Sequence, residues 1–385
     1  MSETDSIHDP KSSGFSKGLE GIIAGETVLS LVDGEASKLF YRGIPVKELT
    51  EKSCFEEVVY LLWNGKFPTA SELAGFKKIL AEKRQVSPEI LAILKAFPLK
   101  AHPMAVLRTM TSVVGLFDPE ADKMDHDSNR RKAIRLTASL PTVIAVFYRL
   151  REGKALISPD PKLSHAADFL YMMHGKPPEK EMEKALDAYL ILLADHGFNA
   201  STFSARVTAS TQSDIYSAIT SAVGTLKGDL HGSANQRAME MILEIGEPDR
   251  AENYVKTLLA QKKKIMGFGH RIYKKEDPRA TAFREIAQQL CERSGEKKWM
   301  EISNRVEKVM WEEKQIPCNV DFFSASVLYI LGFPVDFFTT VFASSRVAGW
   351  TAHVMEQLAD NRLIRPQAIY TGPKNQHYLP VEQRK

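Results

Sequence analysis

Apolar residues recur along most of the chain at the spacing expected for α-helices that bury one side. The clearest example spans residues 182–193, where apolar positions follow the first one at offsets of 3, 4, 7, 8 and 11 residues. Positions with these offsets share one face of a helix. Many stretches of this kind predict a mostly α fold. The apolar positions of the example are Met182, Ala185, Leu186, Tyr189, Leu190 and Leu193.

A strand–turn–strand pattern stands near the N-terminus. Residues 27–32 and 38–42 have strand-like composition and flank Asp33-Gly34, a dipeptide that is typical of hairpin turns. The sequence therefore predicts a small N-terminal β-hairpin attached to a helical protein.

Three polar patterns predict where helices begin. Ser53 with Glu56, and Thr69 with Glu72, have the spacing of capping boxes, in which two side chains satisfy free N–H groups of the first turn. Ser87 is followed by a proline, which is favoured at the first helical position. We expect a helix after each of these sites.

Residues 322–343 form an apolar stretch that is long enough to cross a membrane. Gly332, Pro334 and Asp336 interrupt it in the middle. We therefore predict two buried helices of a soluble protein here.

The distribution of charge suggests two units. Residues 228–320 are richer in charged side chains than the flanking stretches 182–226 and 322–358. This difference predicts a smaller, more polar domain inserted into a larger one. We place the large domain at 1–227 and 328–385, and the small domain at 228–327.

Composition limits the partners and the compartment. The 51 basic and 48 acidic residues leave a net charge of +3, which does not favour a nucleic acid or a membrane surface as partner. The three cysteines are far apart, so neither a disulfide framework nor a zinc site is expected. The polar N-terminus resembles no export signal, and the cytoplasm is the expected location. No two of the ten histidines have the spacing of metal ligands on a helix, so we expect no metal.

Three histidines stand next to glycine in polar turns, namely His196, His231 and His270. Glycine allows a ligand or a backbone segment to approach closely, and an imidazole can exchange protons near neutral pH. Each histidine alone could instead cap a helix, but three in similar settings favour a catalytic site.

Three arginines are candidates for binding a dicarboxylate. Arg346 lies in an apolar segment, where it needs an anionic partner, either a ligand or an internal carboxylate such as Glu356 or Asp360. Arg279 and Arg365 lie next to prolines, and each alone could be a surface residue. Together the three could supply the bidentate hydrogen bonds that carboxylates accept.

Asp321 opens an apolar stretch and is a candidate helix N-cap and a candidate base, two roles that do not exclude each other. A carboxylate at the edge of a desolvated pocket has a raised pKa, as removal of a proton from carbon requires. Residues 262–264 with Lys274 and Lys275 form either a solvated basic face or a site for a phosphorylated ligand.

Long blocks around these residues resemble the citrate synthase family in the family's order. The resemblance extends from residue 18 to residue 372 and implies a two-domain helical fold. The matching blocks are DHGFNAST (195–202), GTLKGDLHGSAN (224–235), GFGHR (267–271), DPR (277–279), NVDF (319–322) and SRVAGW (345–350).

The resemblance implies roles for individual residues. His231 is expected to hydrogen-bond the thioester carbonyl of acetyl-CoA, Asp321 to remove a methyl proton, and His270 to polarise the ketone of oxaloacetate. Further residues are implied as ligands. These are His196, Arg279 and Arg346 for oxaloacetate, Arg365 for oxaloacetate from a second subunit, Met266, Gly267, Phe268 and Gly269 for the adenine of CoA, and Lys274 for its phosphates.

The implied activity is the condensation of acetyl-CoA with oxaloacetate and water to give citrate and CoA, with no metal and no tightly bound cofactor. Two alternatives stay open. One is 2-methylcitrate synthase, which uses propionyl-CoA, and the other is a noncatalytic acyl-CoA binding protein. We expect a homodimer, since the match begins near residue 18 and leaves no room for the extra N-terminal domain of hexameric members.

Overall fold

A three-stranded antiparallel sheet precedes the helices. The computed structural model describes residues 15–270, 272, 273 and 275–384. Strands β1 (Ser30–Asp33), β2 (Lys38–Tyr41) and β3 (Ile44–Pro45) lie in the order β1-β2-β3. The predicted hairpin is present, but it carries a third, two-residue strand that the sequence pattern did not reveal.

Helices make up most of the rest, which confirms the prediction of a mostly α fold. They are α1 (Val46–Lys52), α2 (Phe55–Asn64), α3 (Ala70–Glu82), α4 (Pro88–Lys95), α5 (Pro103–Leu116), α6 (His126–Arg151), α7 (His165–His174), α8 (Lys180–Leu193), α9 (Ala200–Ser210), α10 (Ile215–Leu226), α11 (Ala234–Ile245), α12 (Ala251–Ala260), α13 (Pro278–Ser294), α14 (Lys297–Lys314), α15 (Val320–Ile330) and α16 (Phe338–Ala359).

Two of the three predicted helix starts are correct. Thr69 and Glu72 form a reciprocal capping box at α3, and the Ser87 hydroxyl accepts the Ile90 N–H at the start of α4. The capping box expected at Ser53 and Glu56 is wrong. Helix α1 ends at residue 52, so α2 begins only after Cys54, and Glu56 lies buried with its carboxylate accepting the backbone N–H of His165 at 3.0 Å.

The apolar stretch 322–343 divides into two buried helices, as predicted. Helix α15 ends at Ile330, and α16 begins at Phe338 after the Gly332 turn. Almost every residue of α16 is buried, and this helix packs against α2, α6, α8, α9 and α10. Helix α16 is therefore the centre of the core.

Helix α6 is, within the described residues, the one helix long and apolar enough to span a membrane by length and composition. Within its most apolar window, 89% of the residues are buried inside the protein. Such burial is typical of a core helix, because a lipid-facing helix would expose its apolar side chains.

Helices α11 to α15 pack mainly on one another, with α15 against α11 and α13. The predicted division after residue 227 falls in the loop that follows α10. The predicted division between residues 327 and 328 falls inside α15. The domain division itself stays a prediction.

Candidate active site

The start of α15 is tied to the loop formed by residues 266–270. The Gly269 N–H donates to the Pro317 carbonyl at 3.0 Å, and the Asn319 N–H donates to the Gly267 carbonyl at 2.9 Å. The Asn319 amide also donates to the Gly269 carbonyl at 2.9 Å. These three bonds place the Gly-Phe-Gly-His sequence beside the first turn of α15.

Gly267 is required at this junction for two reasons. Its φ of +85° is a conformation that side-chain-bearing residues rarely adopt. A Cβ built on it would lie 2.8 Å from Cβ of Phe322 and 3.1 Å from its Cα. The neighbouring Phe268 ring contacts the Phe322 ring at a tilt of 54°, with 4.7 Å between centroids. The backbone of 266–269 expected to bind CoA therefore packs directly on α15, while Lys274 lies outside the described residues.

Asp321 is the second residue of α15 and not its N-cap. The Asn319 side chain caps the helix by accepting the Asp321 N–H at 3.0 Å, so the N-cap interpretation of Asp321 is wrong. The Asp321 carboxyl group is thereby free for another role. Desolvation raises its pKa to about 7, against the opposing effect of the Arg279 and Arg346 guanidinium groups.

Arg279 is buried and not a surface residue. Its guanidinium donates from Nε and Nη2 to the two oxygens of Asp277, at 2.9 and 2.8 Å. Asp277 also caps α13 by accepting the Arg279 N–H, and it accepts the Val320 N–H of α15 at 3.2 Å. One carboxylate therefore holds Arg279 and the starts of both helices together.

Arg346 is 2% exposed and lies in the middle of α16. Its Nε donates to the Leu193 carbonyl at 2.6 Å. The alternative of an internal ion pair with Glu356 or Asp360 is wrong, since Glu356 binds Arg206 at 2.6 Å, and no carboxylate of the described residues comes within 4.0 Å of Arg346. Burial lowers the pKa of Arg346 to about 10, and the more distant Asp195 opposes this shift. A buried guanidinium without a direct carboxylate partner provides a place for an anionic ligand.

His270 is a neutral imidazole with a defined tautomer. Its Nδ1 accepts the backbone N–H groups of Ile272 at 3.1 Å and Tyr273 at 3.0 Å. Because Nδ1 acts as an acceptor, the proton resides on Nε2. Desolvation, together with the charge of Arg279, lowers the pKa of His270 to about 4. At neutral pH its Nε2–H is an uncharged hydrogen-bond donor.

His231 contacts Ser201 through Nε2. The distance from Nε2 to the Ser201 hydroxyl oxygen is 2.7 Å, and the Ser201 backbone N–H donates to Nε2 at 3.3 Å. The Trp350 indole N–H donates to the same hydroxyl at 3.1 Å. Nε2 is thus the acceptor, and Nδ1–H is left as a donor. Desolvation and Arg346 lower the pKa of His231 to about 4.

His196 belongs to a cluster of three rings. Its ring centroid lies 5.5 Å from that of His270 and 5.7 Å from that of Tyr273. Its Nε2 lies 3.3 Å from the Tyr273 hydroxyl oxygen. Burial, with the charges of Arg279 and Arg346, holds the pKa of His196 well below its usual value. The structure therefore brings His196 and His270 together as neutral groups.

Sequence reasoning missed Ser201, Tyr273 and Trp350. Ser201 and Trp350 lie within the quoted blocks 195–202 and 345–350, so a signal for them was available. Tyr273 stands three residues after His270, outside every quoted block, and only the fold shows its contacts.

Arg365 takes no part in this cluster. It is exposed on the segment that follows α16, where the neighbouring Ile364 N–H donates to the Ser210 hydroxyl at the end of α9. Its expected role across a subunit interface stays a prediction.

A separate cleft of about 580 Å³ opens between α1, α8 and one face of α13. None of the predicted site residues lines it, and an ion pair of 3.0 Å between Glu181 and Arg293 crosses from α8 to α13 there. We therefore place the candidate site at the histidines and Asp321. Within the described residues, no group of three or more His, Cys, Asp and Glu side chains is placed to hold a metal ion.

Comparison with known proteins shows the family of the chain. Residues 18–367 match the family model described as citrate synthase, C-terminal domain. The chain is 48% identical to citrate synthase 2 of Bacillus subtilis over 96% of this chain and 99% of the relative. It is 43% identical to 2-methylcitrate synthase of Mycobacterium tuberculosis, over 94% and 92% of the two chains. A solved ternary complex of citrate synthase from Thermoplasma acidophilum, with carboxymethyl-CoA and oxaloacetate, is 34% identical, with a TM-score of 0.91 over 96% of this chain and 99% of that one. The chain belongs to the citrate synthase family.

Proposed function

We propose that this protein condenses acetyl-CoA with oxaloacetate and water to give citrate and CoA. The observation that carries the proposal is the buried Arg346, which has no direct carboxylate partner among the described residues and stands near neutral imidazoles and a carboxyl group of raised pKa. Such a pocket suits a dicarboxylate beside a carbon acid.

The first step is removal of a proton from the methyl carbon of the thioester. Asp321 takes the proton, the C–H electron pair forms the new carbon–carbon double bond, and the carbonyl π pair moves to oxygen. The product is an enolate whose oxygen accepts a hydrogen bond from Nδ1–H of His231. A positioned base contributes about 10² to 10⁴ in rate, and a hydrogen-bond donor to the developing oxyanion about 3 to 4 kcal/mol. A pKa of about 7 makes Asp321 a stronger base than an ordinary carboxylate while half of it is still ionised at neutral pH.

The second step is formation of the carbon–carbon bond. The enolate carbon attacks the ketone carbon of oxaloacetate, the carbonyl π pair moves to the ketone oxygen, and Nε2–H of His270 donates a hydrogen bond to that oxygen as it gains negative charge. The oxygen then takes up one proton to become the product hydroxyl, which balances the proton that Asp321 removed from the methyl group. Arg279, Arg346 and His196 hold the substrate carboxylates and carbonyl in position. Burial keeps both His196 and His270 neutral, and Asp277 compensates the charge of Arg279, so Arg346 supplies positive charge that no carboxylate of the described residues pairs with directly.

The last step is hydrolysis of the citryl thioester. Water adds to the thioester carbonyl, the carbon–sulfur bond breaks, and CoA leaves as the thiol with a proton from the water. Hydrolysis of a thioester makes the overall condensation effectively irreversible. Exclusion of water before the second step is complete protects the first thioester from the same reaction.

Propionyl-CoA is the alternative thioester, because one similar relative is a 2-methylcitrate synthase. One methylene group changes binding in a hydrophobic pocket by about 1 to 3 kcal/mol, so the two activities differ by about 10- to 200-fold in kcat/KM. A noncatalytic acyl-CoA binding protein would have no use for Asp321 at this position.

Release of CoA distinguishes these functions. Oxaloacetate is supplied with acetyl-CoA or propionyl-CoA, and the free thiol is followed with a thiol-reactive dye. Higher kcat/KM with acetyl-CoA supports the proposal, and higher kcat/KM with propionyl-CoA assigns the chain to 2-methylcitrate synthesis. If the protein binds oxaloacetate in calorimetry but releases no CoA from either thioester, both the citrate and the 2-methylcitrate synthase hypotheses are wrong.

We also propose that the chain works as a homodimer. Large apolar side chains are exposed on the N-terminal segment before β1 and on the segment after α16, for example Ile23 at 90% and Tyr370 at 66%. Exposed apolar patches mark contact surfaces. Arg365 lies on the second of these segments, where a partner subunit could receive it.

Subunit complementation tests the dimer and Arg365 together. Arg365→Ala should lower kcat/KM for oxaloacetate by about 10- to 100-fold, since a charge-assisted hydrogen bond is lost. Co-expression with Asp321→Asn should restore about a quarter of wild-type activity, because half of the dimers are hybrids and each contains one intact site. If Arg365 served the active site of its own chain, no hybrid site would be intact and activity would not return.

A further inference from the structure

Tyr273 contacts both imidazoles of the candidate oxaloacetate site through three different groups. Its backbone N–H donates to Nδ1 of His270 at 3.0 Å, and its hydroxyl oxygen lies 3.3 Å from Nε2 of His196. Its ring lies 4.7 Å from the His270 ring and is tilted by 36°. The residue is only 3% exposed, so these contacts are shielded from solvent.

The two imidazoles come from separate parts of the fold. His196 follows α8, and His270 lies in the loop between α12 and α13. Their relative placement therefore depends on whatever links these two regions. Tyr273 belongs to the loop that contains His270, and its side chain contacts His196 in the segment after α8.

The segment around Tyr273 is also held against the N-terminal sheet. A Cβ built on Gly34, in the turn between β1 and β2, would lie 2.6 Å from the Ile272 carbonyl oxygen, so only glycine permits this approach. The Glu276 N–H donates to the Ser37 hydroxyl at 3.4 Å. Contacts on both sides of Tyr273 thus fix the position from which its hydroxyl reaches His196.

Both partners of the Tyr273–His196 contact are neutral at neutral pH. Desolvation raises the pKa of the phenol to about 12, so the hydroxyl keeps its proton at neutral pH. His196 is neutral, because burial and two nearby guanidinium groups lower its pKa. A protonated phenol and a neutral imidazole can share one uncharged hydrogen bond, so the 3.3 Å contact links the two rings without placing a charge in the site.

We propose that Tyr273 is a positioning residue that holds the ring of His196 in its orientation and at its spacing from His270 for oxaloacetate binding. This role rests on the proposed function, in which both imidazoles face oxaloacetate. The hydroxyl acts on His196 alone, since His270 is held by backbone N–H groups that any residue at position 273 would retain.

Tyr273→Phe removes the hydroxyl and keeps the ring. Loss of one hydrogen bond should raise KM for oxaloacetate by about 3- to 10-fold, with a smaller change in kcat. Tyr273→Leu removes the ring as well, and misplacement of His270 should lower kcat/KM by about 10²-fold. Tyr254→Phe is the matched control, because the Tyr254 hydroxyl donates to Glu244 of α11 at 2.6 Å and contacts none of the three histidines. The kinetics of this variant should equal those of the wild type.

Nitrogen-15 NMR of histidine-labelled protein reports on each imidazole ring directly. A loss of overall stability alone would not shift the signals of one histidine in the folded protein. Tyr273→Phe should shift the ring nitrogen signals of His196 and leave those of His270 unchanged. Unchanged His196 signals together with an unchanged oxaloacetate KM would overturn the proposal, and so would a loss of melting temperature without either effect. If wild-type protein releases no CoA with either thioester, the proposed function fails, while the NMR shift and calorimetry with oxaloacetate still test Tyr273.

Discussion

Asp321 and the histidines differ in protonation because burial acts oppositely on acids and bases. Desolvation disfavours the charged form of each group, so it raises the pKa of Asp321 to about 7 and lowers those of His231 and His270 to about 4. At neutral pH the same buried cluster therefore contains a partly ionised base and two uncharged donors. These are the roles that enolisation and attack on a ketone require.

Asp321→Asn should lower kcat by about 10² to 10⁴, because the amide cannot accept the methyl proton. Oxaloacetate binding, measured by calorimetry, should change little. Arg346→Leu should give the reverse pattern, with the larger effect on oxaloacetate binding, since it removes a buried cation. Unchanged turnover in Asp321→Asn would remove Asp321 from the mechanism.

Activity should depend on pH through Asp321. The base must be ionised, so kcat/KM should decrease about tenfold per pH unit below pH 7 and level off above it. The histidines stay neutral down to about pH 4 and should add no titration in the range between pH 5 and 7. The measurement is initial rate at low substrate concentration across this range. If kcat/KM instead decreased only near pH 4, either the pKa of Asp321 is not raised or Asp321 is not the base.

At the scale of elements, the site depends on the junction of three segments. The loop 266–270 is bonded to residues 317 and 319, and Asp277 joins the first turns of α13 and α15. Groups of the candidate site on different segments are thus joined by one set of hydrogen bonds. Support of this kind keeps side chains within the small tolerance that catalysis allows.

Gly267→Ala tests this junction, and Gly269→Ala is its matched control. Both glycines have positive φ, at +85° and +78°, so both substitutions carry similar backbone strain of about 1 to 3 kcal/mol. Only the Cβ at position 267 meets Phe322 at 2.8 Å, while the nearest atom to a Cβ at position 269 is 3.5 Å away. Gly267→Ala should therefore lower kcat and melting temperature more than Gly269→Ala. Equal effects would show that contact with α15 is unimportant.

At the scale of the molecule, the core contains polar groups that the proposed mechanism does not use. His165 is buried against the Phe55 ring, and neither of its ring nitrogens has a hydrogen-bond partner among the described residues. Desolvation and the charge of Arg84 lower its pKa to about 3. The folded protein therefore holds His165 neutral at a pH where the unfolded chain protonates it.

This difference predicts acid sensitivity. Between pH 6.5 and pH 3 the unfolded state binds one more proton at His165 than the folded state does. Lowering the pH through this range should therefore reduce the free energy of unfolding by about 1.4 kcal/mol per pH unit, as the contribution of His165 alone. His165→Leu should remove that contribution, as measured by urea unfolding between pH 4.5 and 8. Above pH 7.5 the imidazole is neutral in both states, and the difference between variant and wild type should be constant there. Parallel stability curves below pH 6.5 would contradict the prediction.

Local patterns predicted the elements whose formation depends on near neighbours. The apolar face of residues 182–193 became α8, and the capping box at Thr69 and Glu72 formed as expected. Strand β3 was missed, because two residues carry no periodicity and become a strand only by pairing with Phe40 and Tyr41. The capping box at Ser53 failed because Glu56 is drawn into a buried contact with α7, which sequence spacing does not show.

Sequence motifs also identified the residues that carry the proposed chemistry, and the family could be inferred from them, because blocks such as NVDF and GFGHR retain their order along the chain. Residue identity determines which groups can donate, accept or bear charge. The tertiary structure alone decided the environment of each group. It gave the Asp321 N-cap role to Asn319, paired Arg279 with Asp277, left Arg346 without a carboxylate, and brought Tyr273 to His196. Desolvation and contact between distant segments arise only when the chain packs, and they determine protonation, so chemical function depends on the fold as much as on the residues.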